Sequence, residues 1–156
     1  MPNNGGMEFD HNGLDILSRD ECLRLLAGAH VGRIALSIRA LPVVFPVNFC
    51  LLDDDVVLRT GQGRKLAAAT SHAVVAFEVD SFSALDHSGW SVLVQGVADE
   101  IVSPEELRRA TGLPLRAWAG DQLRRYLRVR TDRVSGRRLV NGRVPPLHEL
   151  AVGVER

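Results

Sequence analysis

The sequence predicts a small, mainly β domain with short helices, folded as an antiparallel barrel. Two observations carry this. Apolar and polar residues alternate over about six stretches at hairpin spacing. No helical stretch separates each strand from the next, as a parallel α/β sheet would require.

Met1 to Gly13 is polar and glycine-rich, and is expected to be a mobile, disordered N-terminal segment. Ser18 and Glu21 then form a capping box, with Leu17 and Cys22 as the hydrophobic staple. Cys22, Leu25, Leu26 and Ala29 follow at helical spacing, with a stop at Gly28, so a short helix flanks or plugs a sheet. Gly32 to Ile38 alternates as a half-buried strand, and residues 39–42 turn the chain. Val43 to Leu52 is a longer strand whose Pro46 implies an edge or bulge. Asp53 to Asp55 reads as a solvated turn rather than a cation site, and Val56 to Thr60 returns as a hairpin.

Ala73 to Asp80 is a strand, Ser81 to Gly89 a polar loop, and Trp90 to Ile101 the longest strand, with Gly96 allowing a bend or close approach. Ser103, Pro104 and Glu106 start a second helix, which Gly112 ends. Leu113 to Leu123 has a weak helical pattern anchored by Trp118. Tyr126 to Val134 is a last strand, with a turn at Ser135 and Gly136.

At 156 residues, 46% hydrophobic and 24% charged, the chain suits one globular domain. No apolar run is long enough to span a membrane, and no secretory signal opens the chain. Cys22 and Cys50 are too few for a disulfide framework and fit a reducing cytoplasm. Net charge is zero but uneven. Residues 111–156 hold ten arginines against four acids, a net +6 offset by the rest of the chain. Such asymmetry fits nucleic acid, an anionic small molecule, or arginines paired with acids elsewhere. No aromatic stacking set accompanies the arginines, so nucleic acid is not expected as a partner.

Val56 to Thr70 carries the strongest functional signal. A strand runs into Gly61-Gln62-Gly63, and Arg64 and Lys65 (the sole lysine) open an alanine-rich helical run. Two cations in a first helical turn oppose the helix dipole unless an anion sits there. The stretch therefore reads as a phosphate site, against the alternative of a solvated helix end. Around it stand Asn48, Arg59, Thr60, Trp90 and Ser91. Asn48 offers donor and acceptor to an amide-edged ring such as a flavin, Thr60 can bond a phosphate, and Trp90 suits either a ring wall or plain core. Glu78 and Asp80 share a strand face and are expected to meet solvent or an arginine. The five histidines are scattered, no hydrolytic motif is present, and neither a metal site nor a catalytic side chain is assigned.

GRIAL (Gly32 to Leu36), PVVFPVNF (Pro42 to Phe49), VVLRTGQGRKL (Val56 to Leu66), VVAFEVD (Val74 to Asp80) and GWSVLVQGVA (Gly89 to Ala98) occur in an order and spacing that resemble the pyridoxamine 5′-phosphate oxidase-like, FMN-binding split-barrel family, in particular its small bacterial members. The resemblance covers residues 14–140 and leaves 141–156 as a tail. It implies a six-stranded Greek-key split β-barrel, a homodimer, and FMN in a groove between protomers. By position it implies that Arg64 and Lys65 bind the phosphate, that Arg59 and Thr60 are strand-end contacts, and that Pro46, Val47 and Asn48 lie along the flavin ring. Ser91 falls where the family often has a glutamine facing the cofactor. Residues 141–156 do not resemble the C-terminal segment whose histidine and arginine grip pyridoxal phosphate in the oxidase itself. The implied activity is a flavin-dependent oxidoreductase acting on an unknown small molecule. The alternatives are a reductase using a deazaflavin coenzyme and a non-catalytic flavin or heme binding module.

Overall fold

A computed structural model describes residues 9–10, 13–60, 72–115 and 125–139. In chain order its elements are β1 (Asp15–Leu17), α1 (Arg19–Ala27), β2 (Val31–Ile38), β3 (Leu41–Leu52), β4 (Asp55–Thr60), β5 (Ala73–Ser83), β6 (Ser88–Glu100), α2 (Pro104–Thr111), β7 (Arg125–Val129) and β8 (Arg133–Leu139).

The sheet order is β1-β8-β6-β5-β2-β3-β4-β7, and a further β6–β7 pairing closes it. Six strands, β2 to β7, therefore form a closed antiparallel barrel, with β8 and β1 added outside the ring on β6. Strands β2, β3 and β4 meander and β5 returns beside β2, which is a Greek key. The expected fold class holds.

Period-two alternation fills the barrel. Ile34, Phe49, Leu58, Phe77, Val92, Val94 and Leu127 point inward and are fully or almost fully buried. Phe49 and Phe77 meet edge to face, with ring centroids 4.9 Å apart. Helix α1 plugs the barrel. Its capping box forms as the sequence predicts, with Ser18 Oγ accepting from the Glu21 amide and Glu21 Oε2 accepting from the Ser18 amide. Leu17, Cys22 and Leu26 reach the main core. A second cluster, Val57, Ile101, Ala110, Leu115 and Tyr126, lies on the other face of β4 and β7 beneath α2.

Several boundaries differ from the sequence reading. Residues 81–89 are mostly strand: β5 and β6 run on to pair Ser83 with Ser88, leaving a four-residue turn that the Ser83 hydroxyl fastens by donating to Asp86. The last strand is two strands. The chain breaks at Thr131, which is buried with its backbone groups satisfied: the Asp55 carboxylate accepts from its amide at 3.0 Å and Arg19 donates to its carbonyl at 2.9 Å. Ser135 and Gly136 are inside β8 rather than in a turn. Helix α1 presses on that strand so closely that a Cβ on Gly136 would lie 2.6 Å from Cys22 Sγ. Leu113 to Leu115 is not helical, since Pro114 lacks an amide hydrogen and disfavours helix at the residue before it. Ser103 precedes α2 without a side-chain cap, and Glu106 pairs with Arg128 Nη1 at 2.6 Å instead of closing a box. Gly96 does permit a close approach: a Cβ there would sit 1.8 Å from the Arg130 carbonyl oxygen, where β6 changes partner from β8 to β7.

Described contacts also reach into the Met1 to Gly13 segment that the sequence marks as mobile. Phe9 bridges Asp15, and Asp10 accepts from the Leu14 amide and from Arg137. No described helix is long and apolar enough to cross a membrane.

Candidate functional site

The candidate site is the fork where β3 and β4 part. Strand β3 pairs with β2 over Leu41 to Asn48 but with β4 only over Phe49 to Leu52. The Phe49 amide donates to the His30 carbonyl, so odd-numbered residues of β3 bond toward β2. Even-numbered ones, Val44 and Pro46 among them, turn their backbone groups to the edge that no described strand covers. A proline costs nothing there, which explains Pro46 as an edge residue in the middle of a strand. The final β3–β4 pair is Phe49 with Leu58. One step further, that register sets Asn48 opposite Arg59, where the two strands diverge.

Alternation directs Pro46 and Asn48 outward from the barrel and Val47 inward. Arg59 also points outward, on the face of β4 that carries Val57, and its Nη1 donates to the Leu115 carbonyl at 3.2 Å. Thr60 is the last residue of β4, with its backbone opposite Arg125. Arg64 and Lys65 follow within a few residues but lie outside the described residues, as do the helix expected to carry them, Trp118, and residues 140–156.

Ser91 and Trp90 lie elsewhere on the barrel. Ser91 pairs with Asp80 on one side and Arg137 on the other, and faces outward. Continuing the β2–β5 register by two residues sets Asp80 opposite Val31, which pairs with Asn48. Asn48, Val31, Asp80 and Ser91 thus form one row across the sheet, with Asn48 and Ser91 three strand steps, about 14 Å, apart. Trp90 is on the opposite face of β6 and packs against the main core. The structure therefore gathers Pro46, Asn48 and Arg59 at the fork, sets Ser91 at the far end of the row, and turns Val47 and Trp90 inward.

Between the two ends sits an ionic group. Arg33 Nη1 donates to Glu78 Oε2 at 3.0 Å and to Asp80 Oδ1 at 2.9 Å. Glu78 and Asp80 meet an arginine, as expected. The two carboxylates, Asp80 ahead of Glu78, hold the Arg33 guanidinium above its ordinary pKa by accepting its hydrogen bonds.

Among the described residues, the arginine-rich segment is largely paired. Arg125 meets Glu100, Arg128 meets Glu106, Arg137 meets Asp10, and Arg138 meets Asp15 and Glu21. Four of the six described arginines in 111–156 thus face acids, three of those four from the first hundred residues or β6. The remaining two, Arg130 and Arg133, are exposed.

Arg109 donates from both terminal nitrogens to the Asp53 carboxylate at 2.6 Å, and a second unforeseen pair involves a histidine. His72 Nδ1 lies 2.7 Å from Asp99. Nothing local predicts it, because Asp99 is far along the chain. Among the described residues no group of histidine, cysteine or carboxylate side chains could hold a metal ion.

Comparison with known proteins gives the fold a family. A protein of Mycobacterium tuberculosis, itself uncharacterized, is 35% identical over 129 residues, covering 80% of this chain and 84% of its own. The structure of an FAD binding protein from Mycobacterium smegmatis matches with a TM-score of 0.68 and 33% identity, over 79% of this chain and 96% of its own. An FAD and heme binding protein from the same organism shares the fold at a TM-score of 0.63 and 20% identity, over 88% of this chain and 79% of its own. The family model for pyridoxamine 5′-phosphate oxidase matches residues 18–138, and the chain belongs to that family.

Proposed function

We propose that the chain binds a flavin nucleotide, FMN in its smallest form, on the outer face at the β3–β4 fork, and works as an oxidoreductase on a small molecule. The observation that carries the reading is the convergence of Pro46, Asn48 and Arg59 at an uncovered strand edge, directly before the Gly61 to Lys65 stretch. A bound flavin would supply two-electron chemistry, and the protein would supply binding and orientation. The backbone of Pro46 and the amide of Asn48 would lie along the ring. Arg59, Thr60, Arg64 and Lys65 would hold the phosphate.

The reading includes a homodimer. Val31 and Val44 are outward-facing and 47% and 59% exposed, which leaves apolar surface beside the fork. Ser91 is too far along the row to share a ring with Asn48 of its own chain. A two-fold partner can bring its own copy of that serine to the fork. A cytoplasmic location is supported by two free thiols, Cys22 buried and Cys50 half-buried, which burial pushes to higher pKa.

FAD is the second reading, favoured by the M. smegmatis relative that is 33% identical and named as FAD binding. The test is the visible spectrum of the purified protein, followed by identification of the ligand released on heating. An oxidised-flavin spectrum with FMN released supports the proposal, and FAD released selects the second reading. A deazaflavin or a heme Soret band would redirect it. A protein that stays colourless and binds neither FMN nor FAD when they are added would overturn it.

A further inference from the structure

Arg33, Glu78 and Asp80 form a compact ionic group with two carboxylates and one guanidinium, a local charge of −1. Arg33 pairs directly with Pro46 on β3 and with Glu78 on β5. Glu78 is therefore two strand steps, about 10 Å, from Pro46 on the same outer face. Asp80 lies in the row that joins Asn48 to Ser91. Arg33 is half exposed, and ion pairs of that kind contribute little to stability. Arg137, next along the row, is already engaged by Asp10 at 3.2 Å.

We propose that this triad sets the reduction potential of the bound flavin. The inference rests on the flavin reading above. Reduction by two electrons takes up one proton at N5 and leaves the ring with one net negative charge, and a fixed negative charge nearby opposes that gain. The triad thus lowers the potential. Arg33 limits the effect by cancelling one of the two carboxylates.

The experiment is a reductive titration of the flavin-loaded full chain with dithionite, against a dye of known potential, after flavin content has been measured. Glu78→Gln and Asp80→Asn should each move the reduced-to-oxidised ratio at a fixed potential roughly two- to threefold toward reduced, about 10–15 mV upward for a two-electron couple. Arg33→Met should move it by a similar factor the other way, and Arg33→Lys should stay near wild type. Melting temperatures should change little throughout. Unchanged potentials in Glu78→Gln and Arg33→Met, with flavin still bound in full, would overturn the inference and leave the flavin reading standing. A wild-type chain that takes up no flavin would overturn both.

Discussion

The two faces of β2 and β5 answer to different physics. Inward, Ile34 and Phe77 are fully buried and paired in register. Outward, one residue away on each strand, Arg33 and Glu78 form an exposed ion pair. The inner face contributes the hydrophobic free energy of the fold. The outer face contributes little to stability, so its side chains are free to serve a ligand. Substitutions on the two faces should therefore separate cleanly into those that change melting and those that change binding or redox behaviour.

The largest effect expected is on the inner face. Phe77→Ala removes a fully buried ring from the Phe49 contact and should cost about 3–5 kcal/mol, read from the denaturant midpoint. A loss below about 1 kcal/mol would mean that the barrel interior is loosely packed. Gly96→Ala comes next. Its added Cβ collides with the backbone oxygen of Arg130, which cannot rotate away, and the strain should cost about 1–3 kcal/mol.

The helix cap is smaller. Ser18→Ala should cost about 1 kcal/mol. It also bears on pH. The Ser18 backbone amide, then its hydroxyl, hold the Glu21 carboxyl below the ordinary glutamate value. A depressed folded-state pKa gives stability that is present above the unfolded value of about 4.3 and is lost as pH falls through the folded one. Glu21→Gln should therefore flatten part of the acid limb of the stability curve while leaving neutral and alkaline behaviour parallel to wild type. Smallest of all, Glu78→Gln on the outer face should change stability by less than about 0.5 kcal/mol. A larger loss there would blur the contrast between the faces.

The inner face was legible in the sequence because its signal is local: a period of two, read strand by strand. The capping box was legible for the same reason. What escaped depends on contacts between distant residues. The alternation from Tyr126 to Val134 runs unbroken through Thr131, and the break there is imposed by Asp55 and Arg19. Gly136 resembles a turn residue until the pressure of Cys22 on its strand is known. At the candidate site, residue types pointed to Asn48 and Arg59, and only the β3–β4 register, continued one step, sets them opposite one another at the fork. An arginine partner for Glu78 and Asp80 could be expected in kind, whereas its identity as Arg33 needed the β2–β5 pairing. Trp90 and Val47 show the converse. Trp90 read equally as a ring wall or plain core, and the family resemblance set Val47 along the flavin ring; strand alternation turns both side chains inward.

The most direct measurement is a calorimetric titration of the apo protein with FMN and with riboflavin, in wild type and in Lys65→Ala. Arg64→Ala serves as a second variant. If a phosphate is held at Arg64 and Lys65, each charge-assisted bond is worth roughly 1.5–3 kcal/mol. Either substitution should then weaken FMN binding about ten- to a hundredfold or somewhat more. Riboflavin, which lacks the phosphate, should bind wild type and Lys65→Ala equally, and apo melting temperatures should be unchanged or slightly higher if a cation leaves the helix start that the sequence predicts there. FMN affinity indifferent to both substitutions would contradict the phosphate site, and a wild-type protein that binds neither compound would contradict the flavin function altogether.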